Sequence, residues 1–326
     1  MYAAMQDAPL GDDVLGEDPT VLELQRLAAE MTGKQAALFV PSGTMGNQIA
    51  IAVHCRRGDA ILVEEEAHTL VYEAGGSAVI GGVVSWTLPS DSGGPDPEAV
   101  ERRILVEDLH HPGTTLLCLE NTHNRKGGTV IPLDRMVRYH QIAGAHGLRI
   151  HLDGARVFNA AAALHVPVGE ITQHVDSVTF CLSKGLCAPI GSVLCGCEEF
   201  IHQAHRWRKR LGAGMRQVGV IAACGVVALR TMVDRLYEDH ARARRLAEGI
   251  SGLTGLEVEP AEPRTNIVML RTHRPAVEWM DALAEHGVLC FDIDPHRLRL
   301  VTHHDVHDVH VEQTLTAFAA LAERLG

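Results

Sequence analysis

Ser177-Val178-Thr179-Phe180-Cys181-Leu182-Ser183-Lys184-Gly185 is a short apolar run that stops abruptly at a cation. Residues 178–182 combine β-branched, aromatic and small apolar side chains, the pattern of a buried strand. A lysine at the mouth of such a strand is costly to desolvate as an ammonium. Its amine therefore tends towards the neutral, nucleophilic form that attacks a carbonyl. A strand-ending lysine with its amine simply in water is the plainer alternative. The neighbours of Lys184 in the fold decide between the two.

Those neighbours come from a repeated pattern. Residues 36–40, 60–63, 115–119 and 148–152 read as further short apolar strands, each separated from the next by helical periodicity. Residues 192–196 read as a strand that runs antiparallel. Alternation of this kind specifies a mostly parallel sheet covered by helices on both faces, with ligands beyond the carboxyl ends of the strands. The residues that follow the strands are Ser42 and Thr44, His68, His123, Asp153 and Arg156, and Lys184. Five separate strands ending in chemistry on one edge is hard to explain as packing. After residue 197 the chain turns helical, with a very apolar helix over 218–229 and an amphipathic one over 233–250. A small α/β unit follows, with strands expected at 256–259, 267–271, 288–291 and 298–301. The division expected is a large domain over 1–240, with 1–20 as an N-terminal arm, and a small domain over 241–326.

Pro41-Ser42-Gly43-Thr44 turns from a strand into a helix, so free backbone N–H groups and a positive dipole end face outward. That is a phosphate site or a plain N-cap. Together, a helix-end phosphate site, a carbonyl-reactive lysine and an acid suggest pyridoxal 5'-phosphate. Asp153 suits the ring nitrogen, and Arg156 lies within reach of the phenolic oxygen. His68 is a flat candidate for stacking on the ring, and His123 is similar in kind, although strand-end histidines are often structural. Arg299 alternates with apolar residues on a strand. It offers a fork donor to a substrate carboxylate or else a surface ion pair.

Composition narrows the partners. A net charge of −12 argues against nucleic acid, and the basic run from His205 to Arg210 reads as a solvated or interface helix. No stretch is long enough for a membrane helix and no signal peptide is visible, so a cytosolic protein is expected. The eight cysteines read as small buried hydrophobes rather than metal ligands, and no metal is assigned. His303, His304, His307 and His310 read as a solvated helix face.

Seven blocks carry a family resemblance. They are Gly11-Asp12-Asp13 with Glu17-Asp18-Pro19-Thr20, Pro41 to Asn47, Glu120 to Asn124, His151 to Arg156, Leu182 to Leu186, Gly214 to Gln217, and Arg299 to His303. In this order and spacing the chain resembles the low-specificity L-threonine aldolases. The resemblance implies a fold-type I pyridoxal-phosphate enzyme with a seven-stranded sheet, assembled as a dimer of dimers. It implies that Lys184 holds the cofactor, Asp153 pairs with the ring nitrogen, Arg156 lies beside the phenolic oxygen, and Gly43 and Thr44 bind the phosphate. His68 would stack on the ring, His123 would sit near the substrate's β-hydroxyl, and Arg299 would hold the substrate carboxylate, with Arg156 also on the substrate side. Arg216 would reach the neighbouring subunit's phosphate. Family members begin with a segment resembling Leu-Arg-Ser-Asp-Thr-Val-Thr-Arg-Pro, expected ahead of Tyr2 and absent from this sequence. The activity implied is cleavage of L-threonine and L-allo-threonine to glycine and acetaldehyde. The rivals are another β-hydroxy-amino-acid or β-eliminating lyase of the same fold, and an inactive cofactor-binding homologue.

Overall fold

The computed structural model describes residues 1–326. Seven strands, β1 (Ala36–Val40), β2 (Ala60–Glu64), β3 (Val84–Leu88), β4 (Thr114–Glu120), β5 (Arg149–Asp153), β6 (Ser177–Cys181) and β7 (Ser192–Gly196), form one sheet. Their order is β1-β7-β6-β5-β4-β2-β3. β3, β2, β4, β5 and β6 pair in parallel, and β7 runs antiparallel to β6 and to β1. The carboxyl ends of β1, β2, β4, β5 and β6 therefore share one edge.

The alternation of side chains across a strand builds a core on each face. β1 sends Ala37 and Phe39 into one apolar layer and Leu38 and Val40 into the other. β2 divides Leu62 from Ile61 and Val63 in the same way. Burial on both sides is why these strands read as unbroken apolar runs. The helices Pro19–Thr32 and Gly219–Thr231 pack together over one face. The helix Gly43–His54 lies on the other, with Ile49 and Ile51 in its core layers. It lies very close: a Cβ at Gly46 would come within 2.6 Å of the Thr179 side chain on β6. That closeness fixes where the helix begins, which is at the functional edge.

The C-terminal unit has its own core. β8 (Leu256–Val258), β9 (Ile267–Thr272), β10 (Phe291–Asp294) and β11 (Arg297–Val301) form an antiparallel sheet in the order β10-β11-β9-β8. The helices Ala276–Glu285 and Asp308–Leu325 cover it, and Trp279 stacks on Phe318 at 6.1 Å. The helix Leu236–Ile250 joins the two cores, with Leu236 in the first and Ala243 in the second.

Several expectations shift. The strand expected at 288–291 starts only at Phe291, because Gly287 ends the preceding helix in a left-handed turn and the ladder begins where Phe291 meets Arg299. β3 carries an alternating pattern, Val84-Ser85-Trp86-Thr87-Leu88, which the sequence reading passed over. In the basic run, Arg208 is not solvated. It is 1% exposed, donates to the Phe39 carbonyl at 2.8 Å, and pairs with Asp13 at 2.7 Å. Cys290 is only half-buried, and all eight cysteines are free. His307 and His310 are exposed and cap the last helix. No helix is long and apolar enough to cross a membrane.

Candidate active site

The ends of β1, β2, β4, β5 and β6 enclose two adjoining cavities that share His68 and Lys184. The inner one, of about 280 Å³, is lined by Ser42, Gly43, Thr44, Asn47, Asp153, Cys181 and Ser183 among others. The outer one, of about 350 Å³, adds Tyr72, Asn124 and Arg156, and its far wall is Phe291, Asp292, Ile293 and Arg299 from the C-terminal unit. Residues that are 256 positions apart in sequence (Gly43 and Arg299) thus border one space.

The inner cavity starts at the helix N-terminus. Ser42 caps it by accepting the Met45 N–H at 3.2 Å, so the amides of Gly43 and Thr44 stand in the first turn with no helical carbonyl ahead of them. A side chain at Gly43 would meet Cys181 Sγ at 3.0 Å, so glycine keeps the backbone open here. Across the cavity, Asp153 is 4% exposed. Its Oδ1 accepts from the Ala155 N–H at 3.1 Å and its Oδ2 from Asn47 Nδ2 at 2.8 Å. Lys184 is half-buried three residues beyond the end of β6.

His68 opens a short helix, His68–Val71, after β2. Its Nδ1 donates to Glu73 Oε1 at 3.0 Å, and Asp153 Oδ2 lies 3.9 Å away. The bond to Glu73 outweighs burial and, with the charge of Asp153, raises the imidazole above its ordinary value. In the outer cavity Arg156 and Arg299 share a single neutral acceptor, Asn124 Oδ1, at 3.3 and 2.8 Å. The Nε of each is buried without a partner. Burial lowers both guanidiniums, and for Arg156 the charge of Arg299 adds to it. Two desolvated cations that line one cavity, neither of them in an ion pair, form a site for an anion.

Two expected residues stand apart. His123 is 0% exposed and lines neither cavity. Its Nε2 donates to Glu64 Oε2 at 2.9 Å, with Glu120 Oε2 at 3.7 Å. Burial disfavours its charge, but Glu120 and then Glu64 more than compensate, and the imidazole is raised. Arg216 is exposed, pairs with Asp12 at 2.7 Å, and also lies outside both cavities.

The sequence reading gave no role to Asn47, Glu73, Tyr72 or Asn124. Asn47 and Asn124 lay inside quoted blocks, whereas Glu73 and Tyr72 had no local signal at all.

Similarity to known proteins bears on the family and the fold. The profile of the β-eliminating lyase family matches residues 1–274. The chain is 43% identical over 326 residues to low-specificity L-threonine aldolase 1 of Arabidopsis thaliana, covering 98% of this chain and 91% of that one. The chain belongs to this family. It is also 42% identical to the low specificity L-threonine aldolase of Escherichia coli, covering 94% of this chain and 90% of that protein. A serine palmitoyltransferase solved with pyridoxal phosphate superposes with a TM-score of 0.78 at 17% identity, covering 99% of this chain and 82% of the other. That likeness establishes a fold-type I architecture for this member of the family.

The donor set fits pyridoxal phosphate. Open amides at a helix N-terminus suit its phosphate, Lys184 suits its aldehyde, and the buried Asp153 suits its ring nitrogen.

Proposed function

We propose that this protein is a low-specificity L-threonine aldolase that cleaves L-threonine and L-allo-threonine to glycine and acetaldehyde. The observation that carries the reading is the meeting of Lys184, Asp153, His68, Arg156 and the Gly43 turn around two connected cavities. When bound, pyridoxal phosphate supplies a carbonyl for the substrate amine and a sink for the electron pair left when the Cα–Cβ bond breaks.

The chain's own residues divide the rest. Lys184 holds the cofactor between turnovers. Gly43 and Thr44 bind its phosphate, and Asp153 presents its carboxylate to the ring nitrogen. His68 stacks on the ring and, with an ordered water, is placed to take the proton from the β-hydroxyl as the bond breaks. Arg299 and Arg156, which line the outer cavity, hold the substrate carboxylate. His123 is sealed beneath the site, so we assign it to holding Glu64 and Glu120 in place. Arg216, exposed on this chain, is assigned to a neighbouring subunit's phosphate in a dimer of dimers. The boundary between the two units is placed at residue 240, on the helix that joins the two cores. The cellular place we assign is the cytosol.

The test is an absorbance spectrum of the purified protein, followed by L-threonine with detection of aldehyde and glycine. A visible band that Lys184→Ala abolishes, with both products formed by the wild type, is the expected result. Full turnover by Lys184→Ala would overturn the reading. Aldehyde without glycine would point to a different lyase of this fold.

A further inference from the structure

Beneath the inner cavity a line of buried polar side chains runs away from Asp153, under the helix Gly43–His54, to the opposite edge of the sheet where β6 begins. Asn47 Nδ2 donates to Asp153 Oδ2 and to Glu73 Oε1, both at 2.8 Å. Asn47 Oδ1 meets His151 Nε2 at 3.1 Å. His151 Nδ1 meets Ser177 Oγ at 2.9 Å, and Ser177 Oγ meets His54 Nε2 at 2.8 Å. Asn47, His151 and Ser177 are at most 1% exposed, and His54, at the far end of the helix Gly43–His54, is half-buried.

Charge fixes the direction of every hydrogen in this line. Asn47 cannot turn its oxygen to two carboxylates, so its amine faces them and its oxygen must accept from His151 Nε2–H. His151 has no acid beside it, and full burial pushes it down to about 3, so it is neutral and its Nδ1 is bare. Ser177 therefore donates its one proton to His151. His54, held down to about 4 by burial, must then donate from Nε2 to Ser177. All the donors point the same way, towards Asp153 and Glu73. Chains of this kind polarise one another.

We propose that Asn47 is a positioning residue for the reaction centre. Held in one orientation by the chain His54–Ser177–His151, it binds both Asp153 and Glu73. It thereby sets the carboxylate that faces the cofactor ring and the carboxylate that orients His68. The double role follows from the hydrogen-bond count. Glu73 Oε1 accepts from Asn47 and from His68, and its Oε2 accepts from Gln48. Asp153 has Asn47 on one oxygen and the Ala155 N–H on the other. Losing Asn47 removes a donor from both carboxylates, and no other side chain replaces it. The charged groups that face Asp153 are Glu73, whose carboxylate lies within 4.8 Å of it across Asn47, His68 after β2, Glu120 at the end of β4, Lys184 after β6 and, from its own loop, Arg156.

This inference rests on the cofactor reading above for its consequence, although not for its geometry. With one donor fewer, Asp153 draws harder on a proton shared with the ring nitrogen. The ring then carries less positive charge, and the Schiff-base nitrogen on Lys184 becomes easier to protonate. One lost charge-assisted hydrogen bond is worth about one to two pH units at Asp153 itself, and only part of it passes through the ring, so in Asn47→Ala the pH midpoint of the visible band should rise by roughly half a unit to one unit. In Ser177→Ala, which touches neither cavity, the same midpoint should rise by less. A folded Asn47→Ala protein with the wild-type midpoint would overturn the proposal. If that variant does not fold, Ser177→Ala decides the matter in the same way. Independently, the full-length protein labelled with 15N-histidine should show His151 neutral, with its proton on Nε2, from pH 5 to 8.5. A His151 that titrates in that range, or that carries its proton on Nδ1, would also overturn it. Absence of any visible band in the wild type would instead defeat the aldolase reading and leave the NMR result to judge the chain.

Discussion

Arg156 and Arg299 converge on one neutral oxygen, an arrangement whose cost in free energy an anion relieves. Replacing Arg299 with Leu should therefore raise KM for L-threonine more than it lowers kcat. The expected loss in kcat/KM is about 10- to 100-fold, the worth of one charge-assisted hydrogen bond. Steady-state kinetics checks this, and a loss confined to kcat would argue that Arg299 serves the bond-breaking step instead. The same residues show what a sequence can reveal about a site. Lys184, Asp153, His68 and the Gly43 turn were legible because each follows an apolar strand, and parallel strands deliver their ends to a common edge. Glu73 was not, because its role depends on meeting Asn47, 26 residues earlier on another helix, and on a turn after the helix His68–Val71 that folds it back onto His68. The burial of His123 was equally hidden. Glu120, Asn121, Thr122 and His123 read alike as a strand end, and it is the bond to Glu64 and the packing of Gly93 against the imidazole that show the ring points inward.

The helix Gly43–His54 does two jobs: it carries the phosphate turn at its start and the end of the polar chain at its finish. Both depend on Gly46, which lets the helix rest on Thr179. An added methyl there overlaps a buried, β-branched side chain on a central strand, at the upper end of the roughly 1–3 kcal/mol cost of overpacking. The gain in helix propensity from Gly to Ala, about 1 kcal/mol, offsets only part of it. Gly46→Ala should thus lose about 1–2 kcal/mol by urea denaturation and weaken pyridoxal phosphate binding. Gly144→Ala is the counterpart. It sits on the exposed side of the helix Leu133–His146 with nothing within 4 Å of a new Cβ, so propensity alone acts and stability should rise by up to about 1 kcal/mol. If both variants moved the same way, the close approach at Gly46 would not be what sets the helix. At this level the sequence was clear where elements are fully buried and unclear at edges. β6 and β7 were read nearly to the residue, while β3 and β10 are edge strands whose exposed, mixed faces weaken the apolar signal.

For the molecule as a whole, the buried histidines should control how it tolerates acid. His151 and His240 lie inside the protein with no acid beside them, and burial pushes them down to about 3 and about 4 from an ordinary 6.5. His54, half-buried, is pushed down to about 4. Their folded values are lower than their unfolded ones, so between 6.5 and about 4 the unfolded chain binds protons that the folded chain refuses. Stability must then fall as pH falls through that window, by at most about 1.4 kcal/mol per unit for each fully buried histidine. His68 and the fully buried His123 have the opposite sign. Their raised values give stability that is complete below 6.5 and fades at higher pH, which offsets part of the histidine loss. Glu120, raised by burial, likewise binds protons more readily when folded. Carboxylates held low act in the same direction but enter only at the bottom of the window: Glu66, clamped by Lys126 and Arg125 against its own burial, is held at about 2, so its contribution is lost as pH falls below the ordinary value of about 4.5. Two fully buried histidines over about two pH units amount to roughly 5 kcal/mol at the upper limit, a large part of the 5–15 kcal/mol that holds a typical domain. Urea midpoints should therefore drop steeply between pH 7 and pH 5, well before acid unfolding driven by carboxylates begins. His240→Asn, which keeps a polar group near Asn159 but cannot take up a proton, should flatten that slope even if it lowers stability at pH 7. Equal midpoints at pH 7 and pH 5 would mean that these histidines find water or partners in the assembled protein.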